Sequence, residues 1–191
     1  MPRLPRVYIK EAAYLITCRG EHNENIFQEK EDYKMFLDLI KKYQEQYGIK
    51  VFAFCLMPDH LHLLVEMEKN QPGADQQETL SFQNVSDFLQ GLNNNYTKYF
   101  NGRYERKGHL FRERFKAAVI EKQSSLLKMT AYLHLNPQRL DPSIDLKDYP
   151  YSSYQMYLYN NSANEGELSF MRQAVNEALG LLNNRSYSEN K

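Results

Sequence analysis

Two strand-like runs, separated only by the dipeptide Pro58-Asp59, limit the number of folds that this chain can adopt. Residues 50–57 (KVFAFCLM) are continuously apolar, which is typical of a strand covered on both faces. In residues 60–66 (HLHLLVE), every second residue from Leu61 onward is an apolar leucine or valine. A Pro-Asp dipeptide between two strand-like runs favours a tight turn. The sequence therefore predicts a β-hairpin over residues 50–66.

The other periodic segments extend this hairpin into a complete sheet. Residues 13–19 and 115–121 have the composition of strands, whereas 28–47 and 85–100 carry apolar residues at helical spacing. Residues 68–83 are polar and contain Pro-Gly, which indicates a loop. The order is strand, helix, strand, strand, helix, strand. We therefore predict an α+β fold, a ferredoxin-like βαββαβ antiparallel sheet with both helices on one face.

A third helical segment, residues 124–136, follows the last strand. It could cover part of the sheet face that the first two helices leave open. Ser124 or Ser125 would cap its beginning. Asn136-Pro137 would end it, because proline disfavours the helical conformation in the residue before it. We expect this added helix to lie next to the hairpin.

Length and composition indicate one domain with an appendage. The chain has 191 residues, of which 42% are hydrophobic and 25% charged. We assign residues 1–155 to one domain and 156–191 to a C-terminal extension, with an amphipathic helical segment at 168–182 and a flexible tail at 183–191. No run approaches the ~18 apolar residues of a membrane span, and no secretory signal is recognisable. We expect a cytoplasmic protein.

The charge distribution is uneven although the formal net charge is zero. A neutral balance counts against general nucleic-acid binding, because such domains usually carry excess basic residues. Residues 103–116, however, contain six basic and two acidic side chains. A local basic patch of this kind can still bind phosphate. The two cysteines, Cys18 and Cys55, are too few for a zinc knuckle or a disulfide framework.

His60 and His62 are candidate metal ligands. They lie two residues apart in a predicted strand, so both imidazoles project from the same face. Their separation would allow one ion to bind both. The alternative is a pair of surface or stacking histidines, which on composition alone is the commoner case.

The third helix strengthens the metal hypothesis. Lys128, Tyr132 and Asn136 are spaced four apart and share one helix face. If that face is directed at the histidines, Asn136 would add an amide oxygen as third ligand, and two imidazoles with hard oxygen donors would suit Mg²⁺ or Mn²⁺. Lys128 would stabilise a phosphate or phenolate, or be an ordinary solvated lysine. His134 is on another side of the helix, and we interpret it as structural.

Four blocks of sequence together resemble the IS200-like transposases of the HUH class (His, hydrophobic, His), most closely the REP-associated tyrosine transposases. The blocks are FCLMPDHLHLLVE (54–66), GHLFRERFK (108–116), YLHLNP (132–137) and the opening MPRLPR (1–6). The resemblance covers about residues 1–155. It implies a ferredoxin-like fold with one catalytic tyrosine. Tyr132 matches the nucleophile, His60 and His62 match the metal-binding histidines, and Asn136 stands where the family has a polar third ligand.

The resemblance further implies a metal-dependent endonuclease and strand transferase that acts on single-stranded, hairpin-associated DNA through a 5′-phosphotyrosine. We expect nucleoid association, and either a monomer or a homodimer. The DNA-binding candidates are the basic residues of the N-terminal arm, the second helix and the basic segment: Arg3, Arg6, Lys98, Arg103, Arg106, Lys107, Arg112, Arg114 and Lys116. Asn93, Asn94 and Asn95 could add contacts.

Two other functions are compatible with parts of this pattern. A ferredoxin-like sheet can bind single-stranded nucleic acid without catalysis, although such a module would not need Tyr132 one turn from Asn136. A zinc hydrolase would use His60, His62 and His134, and would form no covalent DNA adduct. The sequence leaves open the DNA target and whether the protein moves a mobile element or serves its host.

Overall fold

The computed structural model of this protein describes residues 12–67, 80–112, 115–120 and 123–159. The predicted N-terminal arm, most of the 68–83 loop, the 168–182 segment and the tail lie outside these ranges. The strands are β1 (Ala13–Arg19), β2 (Ile49–Leu56), β3 (His60–Met67) and β4 (Lys116–Ile120). The helices are α1 (Lys30–Tyr47), α2 (Leu80–Arg103), α3 (Gln123–His134), α4 (Asn136–Leu140) and α5 (Tyr154–Tyr159), with a short 3₁₀ turn at Glu21–Asn23.

The four strands form one antiparallel sheet in the order β2-β3-β1-β4. The predicted ferredoxin-like βαββαβ fold is therefore confirmed, with β1 and β3 in its centre. In the β1–β3 register, Thr17 lies opposite His62 and Arg19 lies opposite His60. This long-range pairing decides which side chains surround the two histidines.

The predicted hairpin is also confirmed. The backbone N–H of Met57 donates to the carbonyl of His60 at 2.8 Å, and the N–H of His60 donates back at 3.3 Å, with Pro58 and Asp59 between them. The carbonyl of Pro58 accepts the N–H groups of Ile26 and Phe27. These two hydrogen bonds attach the turn to the segment before α1, and they fix the position of His60, the first residue of β3.

Each face of the sheet has its own core. On one face, α1 and α2 pack against β1 and β3 through buried residues that include Phe36, Leu92, Ile16 and Leu63. On the other face, α3 and α5 cover a smaller cluster of buried residues: Ala13, Ala53, Cys55, Met57, Leu64, Leu133 and Tyr157. The added helix thus covers the second face, which is also the face that carries His62.

Two predicted boundaries were wrong. The second helix begins at Leu80 rather than at residue 85, so residues 80–84 extend it instead of ending the loop. The predicted boundary followed the apolar stripe, which was recognised from Val85, but the first residue of a helix is set by its backbone and need not coincide with the stripe. Residues 124–136 do not form one helix ended by Asn136-Pro137, because α3 ends at His134 and a new helix begins at Asn136. Proline is tolerated there because the first turn of a helix needs no N–H from it.

The described helices include none that is both long and apolar enough to cross a membrane. Helix α5 spans the predicted domain boundary at residue 155. The assignment of residues 156–191 to a separate extension stays a prediction.

Asp32, at the start of α1, is fully buried and connects three parts of the fold. Its carboxylate accepts the backbone N–H groups of Gln28 and Glu29 at 2.8 and 2.9 Å. It also accepts the hydroxyls of Tyr99 and Tyr104, from the end of α2. These bonds cap α1 and attach it to α2.

We expect Asp32→Ala to lower the free energy of unfolding by about 2–4 kcal/mol, because it leaves several buried donors unpaired. Urea unfolding measures this directly. The matched control is Asp38→Ala, an exposed position on the same helix, which we expect to change stability by less than about 0.5 kcal/mol. Equal stabilities of the two variants would contradict this structural role.

Candidate active site

The two histidines of β3 lie side by side on the sheet face that α3 covers. Their ring centroids are 5.1 Å apart and the rings are nearly perpendicular. The predicted shared face is therefore observed. Strand alternation places Leu61 between them in the opposite core, so both imidazoles are held by a rigid central strand.

Each imidazole is oriented through its Nδ1 atom. His60 Nδ1 lies 2.6 Å from the carboxylate of Asp59, and His62 Nδ1 lies 3.0 Å from the hydroxyl of Thr17. An oxygen at Nδ1 that accepts its proton fixes the tautomer and leaves the lone pair on Nε2. Two imidazoles prepared in this way have the usual arrangement of metal-binding histidines.

His62 is neutral at physiological pH. Burial lowers its pKa to about 4, the electrostatic effects of His60, Arg19 and Arg139 act in the same direction, and Asp59 opposes them. Only 8% of the residue is exposed. A neutral imidazole is the form that binds a metal, so the site needs no proton release from His62 before an ion binds.

Helix α3 brings Tyr132 to this pair. The centroid of its ring lies 6.3 Å from that of His62, in an edge-to-face arrangement, and the residue is half-buried. Leu133, the next residue, is fully buried in the core of this face. That packing fixes the rotation of α3 and so directs Tyr132 to the histidines. Lys128, one turn earlier, is exposed.

Asn136 follows at the start of α4 and is 6% exposed. Its amide nitrogen donates to the carbonyls of Tyr132 and Leu133 at 3.1 and 3.0 Å. These bonds leave the amide oxygen as the end that can accept or coordinate. The same bonds close the end of α3, so Asn136 keeps its relation to Tyr132 although the helix is interrupted between them.

The donor set fits a divalent ion. Two Nε2 atoms and one amide oxygen suit Mn²⁺ or Mg²⁺ and leave positions for phosphate oxygens. Across the described part of the chain, no three residues of the types His, Cys, Asp and Glu are placed to hold a metal together. The amide oxygen of Asn136 is the oxygen donor that the sequence predicts as third ligand, and the structure places Asn136 at the end of α3 next to Tyr132.

His134 belongs to the core and not to the site. It is fully buried, its Nε2 lies 2.8 Å from the Ser153 hydroxyl, and its ring packs on Tyr154 and Tyr157 of α5. Burial lowers its pKa to about 3. The structure supports the structural interpretation of His134 and does not bring together the three histidines that a zinc hydrolase would need.

Sequence reasoning missed four residues around the site. Thr17 and Arg19 come from β1 and could be found only from the strand register. Asp59 directly precedes His60, and its position in the turn was a signal that could have indicated its role. Arg139 on α4 places its guanidinium carbon 4.1 Å from the ring centroid of Tyr132.

The predicted DNA-binding residues fall into three groups. Arg3, Arg6 and Arg114 lie outside the described residues. Arg103 pairs with Glu29 and lies near Glu31 and Asp32, and Arg106 pairs with Glu24 at 2.9 Å, so these two guanidiniums are engaged within the fold. The third group is exposed: Lys98, Lys107, Arg112 and Lys116.

A cleft of about 550 Å³ lies between α2 and the segment before β4. Amide side chains of α2, among them Asn93 and Asn94, line one wall, and Phe111, Arg112 and Phe115 line the other. The backbone N–H of Arg112 donates to the carbonyl of Arg19, which lies opposite His60 in the sheet. The cleft therefore begins beside the histidine end of the sheet.

A ferredoxin-like sheet that presents two histidines to a tyrosine-bearing helix defines a protein of the tyrosine-transposase type. The chain belongs to the IS200-like transposase family, whose sequence model matches residues 8–136. The family resemblance seen in the sequence blocks is therefore confirmed.

Two known proteins are similar to this chain. A protein of Haemophilus influenzae strain Rd, named as a REP-associated tyrosine transposase, is 26% identical over 123 residues. That match covers 62% of this chain and 66% of the relative, slightly less than two thirds of its length. A solved structure of a REP-associated tyrosine transposase bound to a REP hairpin superposes with a TM-score of 0.60 at 17% identity, covering 84% of this chain and 87% of the other. This likeness supports the fold.

Proposed function

We propose that this protein is a metal-dependent endonuclease and strand transferase for single-stranded, hairpin-associated DNA, with Tyr132 as its nucleophile. The observation that carries the proposal is the position of Tyr132, whose ring lies 6.3 Å from that of His62 on the covered face of the sheet. A non-catalytic nucleic-acid-binding module would have no need for a tyrosine against oriented histidines.

The reaction is a transfer of one phosphodiester bond to the protein. The Tyr132 oxygen forms a bond to phosphorus while the bond from phosphorus to the 3′ oxygen breaks. The electron pair leaves with the 3′ oxygen, which takes a proton from solvent, and the phenolic proton is released to solvent. The products are a 5′-phosphotyrosine and a free 3′-OH. The covalent intermediate conserves the bond energy, so a second 3′-OH can attack it and join the strands.

His60, His62 and Asn136 would hold the divalent ion, Mg²⁺ or Mn²⁺. When bound, the ion would stabilise negative charge on the scissile phosphate as a Lewis acid. The protein's own contribution is orientation. Asp59 and Thr17 fix the imidazoles, and the packing of α3 fixes Tyr132, so little rearrangement is needed when the phosphate enters.

The exposed basic residues near the histidine end are suited to the DNA backbone. Arg112 lines the cleft that begins there, and Lys116 is exposed at the start of β4. Lys128 lies one turn from Tyr132 on α3, where it can reach a phosphate or the phenolate. The amides and phenylalanines of the cleft can contact unpaired bases. A hairpin substrate is supported by the similar fold of the REP-associated transposase that was solved with a REP hairpin.

The proposal predicts a labelled covalent complex of defined polarity. The parent protein should be incubated in Mn²⁺ with synthetic hairpins whose single-stranded flanks have randomised sequence, labelled at either the 3′ or the 5′ end. On a denaturing gel, the 3′ label should move with the protein, whereas the 5′ label should appear in a shorter strand with a free 3′-OH. EDTA should abolish both products, and mass spectrometry should locate the adduct at Tyr132.

Two results would contradict the proposal. Cleavage without any labelled protein would make water the nucleophile. Binding of the hairpins without cleavage would indicate the binding-module function.

A further inference from the structure

The Arg139 side chain occupies a position that the proposed reaction has not yet used. Its guanidinium carbon lies 4.1 Å above the ring centroid of Tyr132, and the residue is exposed. Its positive charge also lowers the pKa of His62, which means that it opposes protonation of that imidazole. Arg139 is therefore close both to the proposed nucleophile and to a proposed metal ligand.

Arg139 differs from Arg103 and Arg106 in having no acidic partner within the described part of the chain. Arg103 and Arg106 are paired with glutamates. Among the described residues, no carboxylate lies within 4.0 Å of the Arg139 guanidinium. The charge of Arg139 is added to that of Arg19 beside the histidines, with Asp59 as the acidic group that acts on His62. A site with this local excess of positive charge favours an anion.

The stacking on Tyr132 also prepares the guanidinium for a particular ligand. Arginine commonly contacts an aromatic ring through the flat face of its guanidinium, and in that arrangement its N–H groups are directed outward in the plane of the group. A planar pair of donors matches two oxygens of a phosphate, which is the bidentate arrangement that arginine favours. Because the guanidinium of Arg139 contacts the ring of Tyr132, the tyrosine oxygen and the N–H donors of Arg139 can reach the same phosphate.

We propose that Arg139 is a further catalytic residue that binds the non-bridging oxygens of the scissile phosphate while Tyr132 attacks it. This inference rests on the proposed function and assigns a phosphate ligand to the same site. Charge on those oxygens is held by preorganised donors during the attack, which is a large contribution in phosphoryl transfer.

The first measurement is the single-turnover rate of covalent-complex formation on a phosphodiester substrate. Arg139→Met removes the charge but keeps the length and apolar contact of the side chain. We expect its rate to fall by about a hundredfold or more, and Arg139→Lys to lie between it and the parent. Lys147→Met, which removes an exposed cation after α4, is the matched control and should keep the parental rate. An unchanged rate for Arg139→Met would overturn the inference.

The second measurement separates phosphate binding from a purely structural role of Arg139. In a non-cleaving Tyr132→Phe background, the equilibrium affinity is compared for DNA with a phosphodiester or a neutral methylphosphonate at the scissile position. The loss of one charge should weaken binding about tenfold when Arg139 is present. Both comparisons are made in EDTA, so that an ion at the same phosphate does not contribute. The loss of charge should then have almost no effect when Met replaces Arg139, because the two changes remove the same interaction.

Equal losses with and without Arg139 would show that Arg139 only supports the tyrosine, and the inference would fail. The proposed function itself is judged separately, by whether the parent forms the covalent complex at all.

Discussion

Tyr132→Phe is expected to bind hairpin DNA with nearly the parental affinity and to form no covalent protein–DNA complex. Phenylalanine keeps the ring that packs edge-to-face with His62 and under Arg139, so the surroundings of the site should be preserved. It removes the only atom of the side chain that can attack phosphorus. Loss of a nucleophile lowers turnover by many orders of magnitude, and we expect at least about a thousandfold here.

The matched control is Tyr47→Phe, because Tyr47 lies at the end of α1 and packs on the opposite face of the sheet. It should leave both binding and the covalent complex unchanged. Affinity is measured by gel shift and the adduct by denaturing electrophoresis with 3′-labelled DNA. Persistence of the labelled band in Tyr132→Phe would mean that another of the fifteen tyrosines is the nucleophile.

The topology of the sheet was accessible from the sequence because its determinants are local. The Pro58-Asp59 turn, the strand-like runs beside it and the helical periodicity of residues 28–47 each depend on neighbours within a few residues. Antiparallel pairing of β2 with β3 then follows from a two-residue turn. Boundaries were less accessible, because the apolar periodicity that predicts a helix does not mark the residue at which the helix begins: α2 begins at Leu80 rather than at residue 85.

The orienting residues of the site depend on contacts that local pattern does not encode. Thr17 lies 45 positions from His62 in the chain, and only the β1–β3 register brings its hydroxyl to the ring. The break between α3 and α4 is likewise not predictable from local pattern. Spacing alone placed Asn136 on the face of Tyr132, but its bonds to the α3 carbonyls are what maintain that relation across Leu135.

The basic segment, residues 103–116, shows that charge counted along the sequence also predicts a binding surface only in part. Arg103 and Arg106 contributed to the predicted DNA-binding patch, yet they pair with Glu29 and Glu24, which lie 74 and 82 positions away. A count of charges along the chain cannot distinguish an exposed cation from one that is paired with a glutamate elsewhere in the fold. The exposed group, with Arg112 and Lys116, is smaller than the sequence indicated. A small phosphate-binding surface is consistent with a chain of zero net charge.

Alanine at His60 or at His62 is expected to abolish metal-dependent cleavage and to weaken Mn²⁺ binding strongly, each by at least about a hundredfold. Each variant removes one of two nitrogen ligands that the structure has already oriented through Asp59 and Thr17. Thr17→Val should have a smaller effect, about ten- to a hundredfold in metal affinity, because it keeps the ligand and removes only the group that orients it. Calorimetric titration with Mn²⁺ measures these affinities without reference to DNA.

The matched control for the pair is His22→Ala, since His22 is a histidine of the 3₁₀ turn whose side chain is 81% exposed. It should retain parental Mn²⁺ affinity and cleavage. Thermal unfolding in EDTA shows whether His62→Ala, which leaves the Thr17 hydroxyl without its ring partner, is still folded. The decisive comparison is between the variants: replacing a metal ligand must lower the Mn²⁺ affinity more than replacing the residue that orients it. Full Mn²⁺-dependent cleavage by both histidine variants, or a greater loss for Thr17→Val than for His62→Ala, would place the metal elsewhere.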